Sequence, residues 1–207
     1  MIKEIFGEKI GMTQIFDSDA RLVSATLIRV KPVCALEEVF YKKGERIKIA
    51  CFKVPEKRIG KVKKAFLGYF NKIGVPPYRK VREVEAAAGE FEAKKEIGIE
   101  IFEVGNIVDV RARSKGKGFQ GGMRRHNWRG QPRTHGSTSH RRIGSAGSNT
   151  FPGRVLRGLR MPGHMGNKFI TVKNLFVLKV DNENQVLFLK GAVPGASNSE
   201  VLIRKIK

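Results

Sequence analysis

The chain has 207 residues, with 41 Lys or Arg against 19 Asp or Glu, a formal net charge of +22 and 41% hydrophobic content. That length allows one or two domains, and that apolar content supports a packed core. Composition argues against membrane insertion, because no apolar run approaches the ~20 residues that span a bilayer. It also argues against secretion, because Lys3, Glu4, Glu8 and Lys9 interrupt the start and no apolar leader follows.

Taken in chain order, the first third reads mostly as strands. Ile10 to Phe16 is followed by a turn signal, Asp17-Ser18-Asp19, and Leu22 to Val30 is β-branched and apolar until Pro32 ends it. Ile47, Ile49 and Cys51 alternate with Arg46, Lys48 and Ala50, which predicts a half-buried strand after a turn near Lys43-Gly44. Cys34 and Cys51 have no metal-type spacing and sit among apolar residues, so both read as small buried hydrophobes.

Val62, Ala65, Phe66, Tyr69, Phe70 and Ile73 recur at helical spacing, with Lys61, Lys63, Lys64 and Lys72 off that face. Gly74 stops the helix and Pro76-Pro77 prevents its resumption. From Glu83 to Glu103 the chain holds seven of its 19 acids, which places this stretch on an outer, solvent-facing side. Ile99 to Phe102 and Ile107 to Ala112 read as strands around a Gly105-Asn106 turn. Later strands are expected at Phe169 to Val180, Gln185 to Lys190 and Val201 to Ile206, with a turn at Asp181-Asn182-Glu183-Asn184 and a loop at Gly191 to Gly195.

Between those strands lies the most unusual feature. From Val110 to Val180 there is no Asp or Glu but 16 Lys or Arg, together with all four His, the single Trp and 12 of the 23 Gly. The rest of the chain has 25 Lys or Arg against 19 acids, a net of +6, so the charge is concentrated. Such a segment cannot neutralise itself or bury a core of its own. It calls for a polyanion that supplies both counter-charge and structure.

Gly116-Lys117-Gly118-Phe119-Gln120-Gly121 matches G-x-G-x-x-G, but no apolar helix follows and no acid occurs before Asp181. A dinucleotide site needs both. His126, His135, His140 and His164 raise a nuclease or metal alternative, yet no carboxylate lies nearby to orient an imidazole and no Cys or acid in the segment completes a zinc site. The better account is interleaving. Arg124, Arg125, Arg129, Arg133, Arg141, Arg142, Arg154, Arg157 and Arg160 are spread among Phe119, His126, Trp128 and Phe151. The guanidinium fork binds phosphate bidentately and stacks on bases. Duplex DNA normally offers a regular groove to a helix, and this glycine-rich stretch is poor in helix formers, so RNA is favoured. Disorder before binding is expected.

Several runs in this chain resemble the bacterial branch of the L3 family of large-subunit ribosomal proteins. They include Lys9-Ile10-Gly11-Met12-Thr13, Ser114 to Gly121, Arg124-Arg125-His126, Thr134-His135-Gly136-Ser137, His140-Arg141, Pro152-Gly153-Arg154-Val155, Gly158 to Gly166 and Lys190 to Gly195. The resemblance runs the length of the chain in order.

The resemblance, joined to the pattern, implies a mainly β, α+β protein: a closed barrel like that of translation elongation factors, with a long irregular basic extension inserted between strands. The barrel body takes 1–118 and 163–207, with a helical and acidic excursion around 60–96, and the arm takes 119–162. The rRNA-binding residues are expected to be Lys115, Lys117, Arg124, Arg125, His126, Trp128, Arg129, Arg133, His135, His140, Arg141, Arg142, Arg154, Arg157, Arg160, His164 and Lys168. The partners implied are large-subunit (23S) rRNA near its 3′ end and neighbouring large-subunit proteins, in the cytoplasm, with the arm reaching toward the peptidyl transferase centre and a role early in subunit assembly. No enzyme activity, cofactor, metal, small-molecule substrate, membrane or homo-oligomer is expected. The alternatives are a His-dependent RNA nuclease and a non-specific nucleic-acid compacting protein. Some bacterial relatives carry a side-chain-methylated Gln just after Gly-Ser-x-Gly; Ser148 stands there in this chain, so that modification is not expected.

Overall fold

The computed structural model of the chain describes residues 3–17, 19–41, 44–85 and 93–206. They divide into two units, one running up to Arg113 and resuming at Phe169, the other Ser114–Lys168. In order, the larger unit carries β1 (Glu4–Phe16), β2 (Leu22–Val30), β3 (Val33–Tyr41), β4 (Gly44–Lys53), a 3-10 turn (Glu56–Lys61), α1 (Lys64–Ile73), β5 (Tyr78–Glu85), β6 (Glu96–Ile97), a second 3-10 turn (Ile99–Ile101) and β7 (Ile107–Arg113). The smaller unit contributes β8 (Phe119–Gln120), α2 (Gly122–His126) and β9 (Gly163–His164). The larger unit then ends with β10 (Phe169–Asp181), β11 (Val186–Lys190) and β12 (Glu200–Lys205). The protein is mainly β with few helices, and among the described residues no helix is long and apolar enough to cross a membrane.

Six strands pair in the order β1-β12-β7-β10-β11-β2, and β2 returns to β1, so the ring closes. Every pairing in it is antiparallel. Closure removes the unpaired edges that would otherwise invite association. Its filling follows the strand period of two: in β7, Val108, Val110 and Ala112 are buried while Arg111 and Arg113 are exposed. Ile5, Ile28, Leu187, Leu189 and Ile203 join them in one cluster. Gly7 sits where β1 lies close against β2. A side chain there would meet Ile28 Cγ2 at 2.6 Å and the Arg29 carbonyl at 2.9 Å.

The second sheet has the order β5-β4-β3-β6 and is covered on both faces. Val33, Ala35, Ile47, Ile49 and Cys51 belong to the same core as the ring. Cys34, Leu36, Ala50 and Tyr78 pack with Phe70 of α1. The α1 face is Phe66, Tyr69, Phe70 and Ile73, and Gly74 ends the helix at φ 74° with its N–H donating to the Phe70 carbonyl at 2.9 Å. Ion pairs span β1, β12 and β5: Arg204 lies 3.7 Å from Glu4 and 2.8 Å from Glu85, and Glu200 meets Arg79 at 3.5 Å and also Lys80. Burial raises the Glu4 carboxyl pKa against the pull of Arg204.

Several elements differ from the sequence reading. β1 starts at Glu4, not Ile10, and neither β3 nor β5 was expected. Ile99–Ile101 is a 3-10 turn where a strand was expected, because the Phe102 N–H donates to the Ile99 carbonyl at 2.9 Å and puts buried Ile99 and Phe102 on the same side. The helix begins at Lys64, so Val62 lies before it, and Ala65 is exposed. Ser18 of the first turn, Lys43 of the second and 86–92 of the acidic stretch lie outside the described residues, whereas Glu83, Glu85, Glu96, Glu100 and Glu103 are exposed.

Both cysteines are free and buried. Burial pushes the Cys51 thiol up to about 12 and raises that of Cys34. Only the thiolate attacks an alkylating agent. Iodoacetamide at mildly alkaline pH is therefore expected to leave both thiols unlabelled in the native protein and to label both after denaturation; mass spectrometry of native and unfolded samples checks this.

Candidate nucleic-acid interface

Of the 55 residues of Ser114–Lys168, one is buried, and it is Gly122. The segment holds twelve Lys or Arg and no acid. It has no apolar core, so its shape is held by backbone hydrogen bonds and a few side-chain clasps.

Its two legs run side by side. The Ser114 N–H donates to the Lys168 carbonyl at 2.9 Å, the Asn167 N–H to Ser114 at 3.2 Å, the Lys117 N–H to Met165 at 2.9 Å and the Met165 N–H to Gly118 at 3.0 Å. β8 and β9 extend the ladder, with Phe119 opposite His164 and their rings edge to face at 6.3 Å. Gly166 adopts φ 74° on this ladder, and a side chain there would strike the Lys115 carbonyl.

Beyond the ladder α2 makes a single short turn, ended by Asn127 in the left-handed region at φ 58°. That reversal returns Trp128 over Gly122, where any side chain would overlap the indole ring. His126 stacks on Trp128 with centroids 6.1 Å apart and planes inclined by 29°. Arg125 Nη1 donates to the Met161 carbonyl at 2.6 Å, and His126 Nε2 lies 3.0 Å from the same oxygen. Both clasp the outgoing leg to the returning one. Farther out, the Gln131 N–H donates to the His140 carbonyl at 3.1 Å and His140 Nδ1 lies 3.1 Å from the Pro132 carbonyl.

This geometry sorts the predicted residues. Lys115, Lys117, Arg124, Arg129, Arg133, His135, His140, Arg141, Arg142, Arg154, Arg157, Arg160, His164 and Lys168 are exposed, whereas Arg125, His126 and Trp128 are half-buried in the clasp. Apolar residues of the returning leg, absent from the predicted set, also reach the surface. Val155, Leu156 and Leu159 are 50%, 62% and 43% exposed, and their only sequence signal is aliphatic residues set between Arg154, Arg157 and Arg160. Leu159 lines a cleft of about 460 Å³ with Trp128, Ile143, Gly144, Gly158 and Arg160.

A mainly β protein with an acid-free, coreless, cation-studded segment is built to bind a polyanion. Residues 24–187 match the family model for Ribosomal protein L3. The chain is 43% identical to "Large ribosomal subunit protein uL3" of Alcanivorax borkumensis over 201 residues, 97% of this chain and 95% of that protein. It is 43% identical to the same-named protein of Acetivibrio thermocellus over 211 residues (99% and 97%), and 42% identical to that of Corynebacterium jeikeium over 208 residues (98% and 94%). The chain belongs to the ribosomal protein L3 family.

Proposed function

We propose that this chain is a structural constituent of the large ribosomal subunit. It binds 23S rRNA directly near the 3′ end, acts early in subunit assembly and directs its basic arm, about 119–162, toward the peptidyl transferase centre. The closed ring serves as a translation-protein barrel that docks and orients, and the arm neutralises phosphates and fixes the packing of RNA helices. Neighbouring large-subunit proteins complete its surroundings. One observation carries this reading: the largely exposed, acid-free surface of Ser114–Lys168, with twelve cations and one buried residue. The exposed arginines and lysines named above meet the RNA, while Arg125, His126 and Trp128 hold the arm in a shape that fits it. A nuclease reading draws no support from the site, since the His126 and His140 rings already engage backbone carbonyls and the arm has no carboxylate to orient either.

The test is sedimentation with ribosomal subunits through a high-salt cushion. Retention on the large subunit and absence from the small one is the expected result, because shape fit persists where screened charge does not. Release into the supernatant, or equal binding to duplex DNA, overturns the proposal.

A further inference from the structure

The cleft on the arm has a chemistry that phosphate neutralisation does not use. Trp128, Ile143 and Leu159 give it apolar walls, Gly144 and Gly158 leave its backbone bare, and Arg160 supplies its one charge. Ile143 and Leu159 are 39% and 43% exposed, so water covers aliphatic surface that a ligand would cover better. The hydroxyl of Ser145, also on the wall, is already committed, donating to the Gly147 carbonyl at 2.7 Å and accepting from the Gly147 N–H at 3.3 Å. The cleft's charged function is the Arg160 guanidinium, which has no carboxylate to meet anywhere in the arm. At about 460 Å³ it falls within the roughly 300–1,000 Å³ of sites that hold a small organic molecule.

A flat group with apolar faces and an attached anion matches these walls. A bare phosphate gains nothing from Trp128, Ile143 or Leu159, and a stacked base pair hides its faces. RNA offers the matching group where a nucleotide leaves the stack, and proteins take such bases on aromatic and guanidinium surfaces. We infer that this cleft receives one unstacked base of the RNA, with the adjoining phosphate at Arg160; the assignment rests on the proposed rRNA binding by the arm.

Trp128 is the only tryptophan in the chain, so its fluorescence, excited beyond tyrosine absorption, reports on the cleft. Gly144→Leu adds a bulky side chain at the cleft wall, and its Cβ meets no atom within 4 Å. Large-subunit rRNA is expected to quench most of the emission, and inorganic polyphosphate, which meets the same cations without bases, is expected to leave it nearly unchanged. Gly144→Leu is expected to lose the quenching and to bind rRNA about five- to hundredfold more weakly, the worth of one stacked base. Equal quenching by polyphosphate overturns the assignment. So does salt-dependent rRNA binding with unaltered emission, or a Gly144→Leu protein that binds like wild type; in these cases the binding role of the arm stands. Absence of rRNA binding by the wild-type chain overturns that role and the assignment with it.

Discussion

Replacing residues 114–168 by a two-residue hairpin turn is expected to leave a folded protein that melts close to the full chain and has lost most of its affinity for large-subunit rRNA. Arg113 and Phe169 stand directly opposite each other in the β7–β10 ladder, the register that a two-residue turn closes without strain. Neither core cluster contains a residue of the excised segment. Its single buried residue is a glycine, so almost no apolar burial is removed. The charge effect is large: twelve cations and no acid leave, and the formal net charge drops from +22 to +10. If about ten of those cations each meet a phosphate, log K falls against log salt with a slope of roughly −7 on single-stranded-type RNA. Titration at several salt concentrations should show this slope for the full chain and a much flatter one for the deletion. A body that unfolds on deletion, or a slope that survives it, would show that affinity and architecture are not divided between the two units as proposed.

The basic segment was legible in the sequence because charge and apolar periodicity separate so sharply there, although the compact unit runs Ser114–Lys168 and not 119–162. An acid-free run with twelve glycines cannot be mistaken for core, and strands such as Leu22–Val30 announce themselves by their β-branched and apolar content. The missed strands have physical reasons. In β3, Val33, Cys34, Ala35 and Leu36 are all buried, since alternate residues feed two different clusters, and a strand covered on both faces shows no alternation. β5 reads as a charged linker, Tyr-Arg-Lys-Val-Arg-Glu-Val-Glu, until the acids of Glu200 and the base of Arg204 are placed beside it by the fold. The first half of β1 is interrupted by Gly7, Glu8 and Lys9. Gly7 is there because the β1–β2 approach leaves no room for a side chain, a long-range demand that local pattern cannot carry.

The arm divides along the same line. Which residues are cationic is plain from composition, but which of them turn inward is not. Arg125 and Arg124 are chemically alike and adjacent, yet α2 aims one at the Met161 carbonyl, 36 residues away, and leaves the other exposed. Likewise Trp128 reads as a free stacking platform. In the fold it is half-buried, seated on Gly122 against His126, and open to the cleft beside Leu159. The sequence spacing of these residues has no period; the seat of Trp128 on Gly122 follows a reversal at Asn127 in the left-handed region.

Ile203→Ala is expected to have the opposite signature to any change in the arm. Ile203 is fully buried on β12, opposite Ile5 of β1 on one side and Val110 of β7 on the other, and both of those are fully buried too. Truncating such a side chain costs about 2–5 kcal/mol, part transfer and part cavity. Against a total stability of about 5–15 kcal/mol, that is a large fraction. For a chain of this size it corresponds to a melting point lowered by roughly 4–20 °C. The salt dependence of rRNA binding by the folded fraction should stay unchanged, because no arm cation has moved. The counterpart is Arg141→Glu with Arg142→Glu, two exposed cations whose charge is reversed. It should weaken rRNA binding and flatten the salt slope by at least about 1.4, two phosphate contacts at roughly 0.7 each, with the melting point within a few degrees of wild type. Thermal denaturation followed by circular dichroism and salt-dependent rRNA titration on both variants give the four readings. A core variant that flattens the slope, or an arm variant that lowers the melting point as Ile203→Ala does, would mean that the ring and the arm form one cooperative structure, in which RNA contact and core packing cannot be altered separately.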